Sequence, residues 1–466
     1  MFINREAELA QLERLHASSH AELFVLYGRR RVGKTELLRA FCAGRPHLFF
    51  IATLSSDRDQ LATFSQEIWR FTHREAPDGF TLPSWEAAFE ALADLPGRPV
   101  VVLDEFTYLV GGNKAIPSIL QKVWDQTLQH SRIFLILCGS YVGMMETEVL
   151  GYRSPLYGRR TGNVLLQPLG LPATATFFPA YSPLQQIEAW AILGGMPYYL
   201  RVFSDSMDLW TNVRTHILDP RGTLYHEPYL LLMAELREPR NYFSILRAIA
   251  QGRTRLNEIA QAAGVGNAPT TARYLDILQS MRVVTRIVPV TERHPEKSKK
   301  GMYQIVDPLF RFWFRYVHPN QGLLDLGLAD GVMAQRVQPT FDDFVAHAFE
   351  QAAQMHLAAL SQLGELPFMP ERVGRWWDQG TEIDAVAVSD AEGALLLAEC
   401  KWSVHPVGLS VLDDLKSKAE RLSAAGRWSV VSFALFSKAG FTADLQEVAR
   451  REGIRLVQAA ELVTGS

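Results

Sequence analysis

One stretch decides the fold of the first part of the chain: Gly28-Arg29-Arg30-Arg31-Val32-Gly33-Lys34-Thr35. It follows an apolar run from Leu23 to Tyr27 and precedes a helical pattern from Glu36 to Cys42. Two glycines at this spacing let the backbone curl so that its N–H groups face a phosphate, and the next helix directs its positive end at the same group. The stretch therefore predicts a phosphate-binding loop between a strand and a helix.

The loop also carries the side chains that nucleotide binding needs. Lys34 is expected to contact the β- and γ-phosphates of ATP, and Thr35 to offer its hydroxyl to Mg²⁺, which prefers oxygen ligands. ATP and Mg²⁺ are therefore the predicted cofactors. The predicted nucleotide-binding residues of this segment are Gly28, Arg29, Arg30, Arg31, Val32, Gly33, Lys34, Thr35 and Glu36.

Two further strand ends supply groups for hydrolysis. Val100 to Leu103 is a predicted buried strand that ends in Asp104 and Glu105. Asp104 can complete the Mg²⁺ shell, and Glu105 can orient or deprotonate the attacking water. Another apolar strand ends at Ser140, which is expected near the same edge because ligands gather at the carboxyl ends of parallel strands. Ser140 can then sense the γ-phosphate or position water.

Hydrophobic patterning divides the chain into four predicted domains. Apolar strands alternate with amphipathic segments up to about residue 170, which predicts an α/β domain with a parallel sheet. Its expected core strands are Leu23 to Tyr27, His47 to Thr53, Val100 to Leu103 and Ile133 to Cys138. The predicted domains are a nucleotide-binding core over 1–170, a helical lid or connector over 171–240, a helical domain with a basic hairpin over 241–320, and a mixed α/β domain over 341–466.

Composition excludes several classes of protein. Apolar residues make up 48%, charged residues 21% and the net charge is −3, values that exclude a wholly disordered or collagen-like chain. No apolar run approaches the roughly 18 residues of a membrane span, and the first eight residues lack the apolar stretch of a signal peptide. The three cysteines are far apart, as expected of a reducing compartment. These features predict a cytoplasmic protein without a membrane partner.

As a set, these motifs resemble the prokaryotic P-loop ATPases of the AAA+ and STAND-related group, often called archaeal-type ATPases. The resemblance implies that Arg5 lies near the adenine and that Pro197, in the lid, closes over the base. Arg159 and Arg160 resemble arginine-finger or sensor residues, which stabilise charge on the transferring phosphoryl group and can come from a neighbouring subunit of a homo-oligomer. A structural ion pair is the alternative for these arginines. Besides the phosphate-binding loop, the matching segments are Phe2-Ile-Asn-Arg5-Glu6-Ala-Glu-Leu9, Leu103-Asp104-Glu105, Gly139-Ser140, Ser154-Pro-Leu-Tyr-Gly-Arg159-Arg160-Thr-Gly162 and Gly194-Gly-Met-Pro197.

Residues 241–320 match the pattern of a winged helix with a basic tip. Residues 241–300 hold ten Lys or Arg and four Asp or Glu, so this segment is positive in a chain of net charge −3. The charge favours contact with DNA phosphates, and a protein-docking module is the alternative. Thr270, Thr271 and Arg273 of the third helix are expected to face a major groove. The predicted elements are helices Tyr242 to Ala250, Leu256 to Ala263 and Pro269 to Gln279, and strands Val283 to Val290 and Met302 to Val306.

The last predicted domain carries a pattern of acids and a lysine on a hairpin. Residues 381–388 and 394–401 are predicted strands that pair symmetrically about residues 391 and 392. This register places Asp384 opposite Glu399, about 5 Å apart at Cβ, and Lys401 on the same face as Glu399. Two carboxylates and a lysine can bind Mg²⁺, position water and stabilise the charge that develops when a phosphodiester is cleaved.

This hairpin resembles the core of the PD-(D/E)xK nuclease superfamily, in which a preceding helix bears a further acid. By that resemblance Glu350, in the predicted helix Phe341 to Leu357, is the further acid. Ile383 stands where the motif has proline before its first acid. A nuclease-like domain that has lost activity and keeps these residues as surface ion pairs is the alternative.

Together, these patterns predict an ATP-hydrolysing switch or motor whose nucleotide state repositions a winged helix and a nuclease-like domain on DNA. Two other functions stay open. One is a STAND-like regulatory switch whose C-terminal domain binds DNA or a partner protein without cleaving it. The other is a protein-remodelling ATPase whose winged helix grips polypeptide.

Overall fold

The structure is a computed structural model that describes residues 3–73, 75–236, 238–423, 428 and 430–464. The chain divides into two compact units. The first comprises Met1–Pro168 and Met196–Tyr198, and the second comprises Leu169–Gly195 and Tyr199–Ser466. Phe2, which begins the N-terminal motif, lies outside the described residues.

The first unit is built on a five-stranded parallel sheet with the strand order β2-β3-β4-β1-β5. Three of these strands, β1, β3 and β4, are buried along their whole length. Parallel strands buried on both faces have nearly continuous apolar sequences, so the predicted α/β domain with a parallel sheet is confirmed. The strands are β1 Glu22–Tyr27, β2 His47–Ile51, β3 Val100–Asp104, β4 Phe134–Gly139 and β5 Gly162–Leu165.

Two strands of this sheet differ from the expectation. β2 ends at Ile51 rather than Thr53, because the Thr53 N–H donates to the Gln60 side chain instead of a neighbouring strand. β5 lies at the edge of the sheet and is only partly buried, so its sequence lacks the apolar run that marks the core strands. The described α-helices of this unit are α1 Glu6–His16, α2 Lys34–Cys42, α3 Asp57–Thr72, α4 Trp85–Glu90, α5 Phe106–Gly112, α6 Ile116–Gln126 and α7 Val142–Met144.

The second unit is helical over its first part, up to Ser280. Its longer helices begin at recognisable sequence signals: Ser182 and Gln185 form a capping box at the start of α9, and Asn267 caps α15. None of the described helices of the chain is long and apolar enough to cross a membrane. The helices of this part are α8 Leu171–Ala175, α9 Pro183–Leu193, α10 Pro197–Leu200, α11 Leu209–Val213, α12 Glu227–Glu235, α13 Arg240–Ala250, α14 Leu256–Ala263 and α15 Ala268–Ser280. Pro197 and Tyr198, the first two residues of α10, belong to the first unit.

An antiparallel pair follows α15, formed by β6 Val284–Ile287 and β7 Met302–Ile305. β6 is shorter than predicted because the Val290 N–H donates to the Arg375 carbonyl and so leaves the hairpin. The expectation for Thr271 is wrong. Thr271 is buried and shares the inner face of α15 with Leu275 and Leu278, since residues at these spacings lie on one side of a helix.

The rest of the second unit contains a mixed sheet with the strand order β12-β11-β10-β9-β8. β8, β9 and β10 pair antiparallel, whereas β10, β11 and β12 pair parallel. Ser389 pairs with Ala394 and Ala385 with Ala398, so the predicted hairpin register is confirmed. The strands are β8 Arg372–Asp378, β9 Thr381–Ser389, β10 Ala394–Lys401, β11 Val430–Ser437 and β12 Arg455–Gln458, and the helices are α16 Pro308–Phe312, α17 Gln321–Asp325, α18 Ala329–Val332, α19 Phe341–Gln362, α20 Leu409–Ser423, α21 Ala443–Glu452 and α22 Ala459–Thr464.

Gly195 lies where two backbone segments of the second unit meet. The Leu169 N–H donates to the Gly195 carbonyl at 2.8 Å. A Cβ atom on Gly195 would lie 1.8 Å from the Leu169 carbonyl oxygen, far inside the contact distance of two atoms. The close approach therefore requires a residue without a side chain.

We expect Gly195→Ala to lower the free energy of unfolding by about 3 kcal/mol or more, because the new methyl group can be accommodated only if backbone moves. Gly322→Ala is the matched control, since a Cβ there meets no atom within 4 Å and alanine favours the helix. Thermal unfolding followed by circular dichroism measures both. Equal melting temperatures for the two variants would contradict the prediction.

Candidate functional site

Residues 28–33 connect β1 to α2 at the carboxyl end of the parallel sheet. A Cβ atom on Gly28 would lie 2.7 Å from the Leu166 carbonyl oxygen. Gly33 has a φ of 97° and precedes α2 without giving it a side-chain cap. Both positions therefore favour glycine. Because Gly33 has no side chain to cap α2, the first N–H groups of this helix suit a bound anion.

Lys34 is the first residue of α2 and its side chain is buried. The ammonium group donates to the carbonyls of Gly28 and Arg29 at 2.8 and 3.1 Å. The side chain thus reaches back over the loop. A phosphate held by the loop would meet this positive charge directly.

Thr35 and Asp104 provide adjacent oxygen atoms. The Thr35 hydroxyl donates to Oδ2 of Asp104 at 2.8 Å, and Asp104 is buried at the end of β3. Mg²⁺ is usually held by one or two protein oxygens together with phosphate oxygens and water, so this donor set fits Mg²⁺ shared with a nucleotide. Within the described ranges, no group of three or more His, Cys, Asp and Glu side chains could hold a metal ion.

Glu105 follows β3 in a left-handed backbone conformation with a φ of 54°. Such a conformation is strained for a residue other than glycine and persists where the surroundings fix it. The Ser140 hydroxyl donates to Oε2 of Glu105 at 2.6 Å. Because β4 lies between β1 and β3, Ser140 stands beside both strand ends. In this structure Ser140 is a positioning residue for the Glu105 carboxylate.

Arg5 joins the N-terminal motif to the phosphate-binding loop. Its guanidinium donates to the carbonyls of Val32 at 3.4 Å and Gln167 at 2.7 Å, and it pairs with Glu8 at 3.1 Å. Burial lowers the pKa of Arg5, and the charge of Glu8 opposes that effect. Arg5 therefore holds the loop backbone in the described structure, and its predicted place near the adenine stays a prediction.

Pro197 also lies against the loop, within the first unit. Its Cγ is 3.7 Å from the position of a Cβ on Gly33, and the Arg31 guanidinium lies 3.9 Å from the centroid of the Tyr198 ring. The segment that carries Pro197 thus borders the loop where α2 begins. Of the other predicted loop residues, Arg29 supplies a carbonyl to Lys34, Arg30 donates to the Tyr108 hydroxyl, Val32 is buried, and Glu36 lies 4.0 Å from Arg39 on the surface.

Arg159 forms a two-pronged ion pair with Asp125. Nε and Nη2 of Arg159 donate to the two carboxylate oxygens of Asp125, both at 2.7 Å, and Nη1 donates to two backbone carbonyls. This hydrogen bonding lowers the pKa of Asp125 and raises that of Arg159. Arg160 donates to the Leu150 carbonyl at 3.1 Å. Within the first unit, Arg159 thus forms the structural ion pair that was the alternative to an arginine finger.

The acids and lysines of the mixed sheet form a second polar cluster. Asp384 accepts a hydrogen bond from the Cys400 N–H at 2.9 Å. Glu399 is buried, and its Oε1 accepts from the Lys401 ammonium at 2.7 Å. Glu350, on α19, lies 3.6 Å from Nε of Arg375. The charge of Asp384 acts on Glu350 and that of Glu399 acts on Asp384, so the three carboxyl groups lie near one another, with Lys401 beside Glu399.

Burial raises the pKa of two carboxyl groups of this cluster, Asp384 and Glu350. Burial and then the charge of Glu399 raise the pKa of Asp384 to about 6, while the Cys400 N–H opposes the rise. Burial raises the pKa of Glu350 to about 7, against the lowering effect of Arg375. Carboxylates that share a site in this way favour a proton or a cation between them. Asp384 and Glu399 could hold Mg²⁺ only together with ligands from substrate or water.

Lys418 also belongs to this cluster, although the sequence did not predict a role for it. It lies on α20, and its ammonium group is 3.2 and 3.1 Å from the two oxygens of Glu399 and 3.0 Å from Asp414. A lysine four residues after an aspartate on a helix has the pattern of an ordinary surface pair. Only the packing of α20 against β10 brings it to Glu399, so no local sequence signal could have identified it.

Comparisons with known families agree with the geometry of the first unit. A family model described as an ATPase domain predominantly from Archaea matches residues 2–203. A second model, described as archaeal and bacterial proteins of unknown function, matches residues 313–416. The first match, the phosphate-binding loop and the five-stranded parallel sheet together identify a P-loop ATPase domain, as predicted.

Relatives cover most of the chain. The uncharacterized protein MJECL04 of Methanocaldococcus jannaschii is 34% identical over 403 residues, which make up 86% of this chain and 88% of that protein. The uncharacterized ATP-binding protein MJ0423 of the same organism is 56% identical over 41 residues, 9% of this chain and 70% of that protein. Among solved structures, the Walker-type ATPase PABY2304 of Pyrococcus abyssi is 24% identical with a TM-score of 0.49, and the match covers 67% of this chain and 96% of that one. By its match to the ATPase domain and its identity to the M. jannaschii protein over most of both chains, this chain belongs to the archaeal-type P-loop ATPase family.

Proposed function

We propose that the chain hydrolyses ATP at the phosphate-binding loop and that the nucleotide state controls a DNA-acting second unit. The observation that carries the first part is the hydrogen bond from Ser140 to Glu105 beside the Thr35–Asp104 pair. A carboxylate held in this way next to a phosphate-binding loop is the arrangement that hydrolysis of a terminal phosphate needs.

In the proposed reaction, the loop N–H groups and Lys34 hold the phosphates of ATP and offset the negative charge that grows on them. Glu105 orients a water molecule in line with the γ-phosphate and accepts its proton. Ser140 keeps the Glu105 carboxylate in place. Mg²⁺, when bound by Thr35 and Asp104, would supply further charge neutralisation at the phosphate oxygens.

Lys34→Ala is expected to abolish nucleotide binding, and Glu105→Gln to lower kcat by roughly 10²- to 10⁴-fold with binding retained, since the amide cannot accept the proton. Phosphate release measures turnover, and titration with a fluorescent ATP analogue measures binding. Glu90→Gln is the control, because Glu90 is exposed at the end of α4 and belongs to none of the predicted sites. Wild-type turnover in Glu105→Gln would overturn the assignment of the carboxylate.

The second part of the proposal concerns DNA. We infer that α13 to α15 with the β6–β7 hairpin act as a winged helix, whose exposed Thr270 and Arg273 face the DNA groove. The charge of residues 241–300 supports this function. Lys300 is engaged elsewhere, because its ammonium group lies 3.0 Å from Asp378 and 3.5 Å from Glu292. The exposed cations of the hairpin loop are Arg293, Lys297 and Lys299.

Replacing Arg293, Lys297 and Lys299 together by Gln is expected to weaken DNA binding and to reduce the slope of log K against log salt concentration by about one unit per lost phosphate contact. Fluorescence anisotropy with labelled duplex DNA, at several salt concentrations, measures both effects. The control replaces three exposed cations of the first unit, Arg14, Arg58 and Lys114, by Gln. An equal loss in both triple variants would show only a general effect of charge, and the winged-helix assignment would fail.

We further infer that the mixed sheet and α19 form a nuclease-like domain in which Asp384 and Glu399 hold Mg²⁺ and Lys401 stabilises the cleaved phosphate. After burial, the charge of Glu399 raises the pKa of Asp384, and a cation between the two carboxylates would relieve that repulsion. The two lysines on Glu399 favour the alternative of a non-cleaving switch, because they already neutralise that carboxylate.

Incubation with Mg²⁺ and single- or double-stranded DNA distinguishes the two functions. We expect cleavage by the wild-type chain, loss of cleavage in Asp384→Ala, and loss on addition of EDTA. Asp413→Ala is the control, since Asp413 is exposed on α20. If wild type and Asp384→Ala cleave equally, or neither cleaves, the nuclease assignment is wrong and the switch is favoured.

A further inference from the structure

Two adjoining cavities lie inside the second unit. Their volumes are about 220 and 240 Å³. They lie between the β6–β7 hairpin on one side and α19 and β8 on the other. Both are lined by Ile287, Gln304, His347 and Arg375, so they form one cleft of a size that suits a small ligand.

Arginine side chains from separate elements form one wall of the cleft. Arg311 and Arg315 come from the helical segment that begins with α16, and Arg375 comes from β8. Nη2 of Arg311 donates to the Phe344 carbonyl at 3.2 Å, and the guanidinium lies 4.4 Å from the centroid of the Phe344 ring. Nε of Arg311 is buried and has no hydrogen-bond acceptor among the described residues. One buried donor on this wall therefore lacks a partner.

The charges on this wall are incompletely balanced by protein groups. Within the part of the chain that the structure describes, neither Arg311 nor Arg315 forms an ion pair, whereas Arg375 lies 3.1 Å from Glu382 and 3.6 Å from Glu350. Burial, and then the charge of Arg315, lowers the pKa of Arg311 to about 10. The charge of Glu350 opposes this lowering, and Asp343 lines the same cavity. Neither carboxylate pairs with Arg311 among the described residues, and its buried Nε still lacks an acceptor. An unpaired buried donor is costly, so the cleft would gain free energy from a bound anion that accepts from it.

The opposite wall has a different chemistry. Ile287, Tyr303 and Ile305 of the β6–β7 pair present aliphatic and aromatic surface, with the polar groups of Thr254 and Gln304 beside them. A ligand that fills the cleft would therefore place an apolar, flat portion against the strands and an anionic portion against the arginines. Guanidinium groups match the oxygens of a phosphate particularly well, because they donate two parallel hydrogen bonds.

We propose that this cleft is a second ligand site, in which the phosphate of a nucleoside monophosphate binds Arg311, Arg315 and Arg375 and its base lies against Tyr303. The site is independent of ATP at the phosphate-binding loop. Its ligand touches Arg375, which also contacts Glu350 of the carboxyl cluster. Occupancy of the cleft therefore adds an anion next to that cluster.

The test uses the full chain with Lys34→Ala, so that binding at the phosphate-binding loop does not contribute. Isothermal titration calorimetry with AMP, GMP, CMP and UMP is expected to detect binding of at least one nucleotide, and inorganic phosphate is expected to bind more weakly. Adding Arg311→Gln or Arg315→Gln should weaken binding roughly tenfold or more, the effect of losing a charge-assisted hydrogen bond. Arg336→Gln, at an exposed position of the same unit, should leave the affinity unchanged.

The melting temperature of Arg311→Gln shows whether this variant folds. If it does not fold, Arg315→Gln and Arg311→Lys test the same arginine wall. No binding of any of the four nucleotides would overturn the proposal. So would unchanged affinity in folded Arg311 and Arg315 variants, because the arginine wall would then not be the site. Equal affinity for inorganic phosphate and the nucleotides would refute the role of the apolar wall.

Discussion

The position of β4 between β1 and β3 is the constraint on which the ATPase site depends. Parallel pairing aligns Tyr27 with Gly139 and Leu103 with Leu137, so the three strands end at the same edge of the sheet. The phosphate-binding loop, the Asp104–Glu105 pair and Ser140 follow these ends directly. Because the strands are buried on both faces, the register cannot slip without exposing their apolar residues. The hydrogen bond from Ser140 to Glu105 is thus fixed by packing of the sheet.

Burial of charge governs the second unit in a different way. Asp384 on β9 and Glu350 on α19 are buried, and desolvation disfavours the charged forms of these two carboxyl groups. Lys401 and Lys418 neutralise Glu399, and Arg375 lies beside Glu350. The balance between these cations and carboxylates decides whether the cluster holds a metal ion or only stabilises the fold.

Much of the fold could be predicted because its signals are local. The glycines of the phosphate-binding loop, the apolar core strands and the hairpin register follow from backbone sterics and from the burial of strands, which act over a few residues. β5 was missed because an edge strand is only partly buried. The prediction that Thr271 is exposed was wrong because a helical sequence pattern shows only which residues share a face of the helix. The packing of the unit decides which face is buried.

By itself, the sequence determined the phosphate-binding loop, the carboxylates at the end of β3 and the register of the β9–β10 hairpin, since each depends on spacing within one loop, strand or hairpin. Only the tertiary structure decided that Ser140 holds Glu105, that Arg159 is paired with Asp125, and that Lys418 reaches Glu399. These contacts join residues on separate elements. They arise from the order of strands and the packing of helices, because both bring distant segments together without leaving a local pattern in the chain.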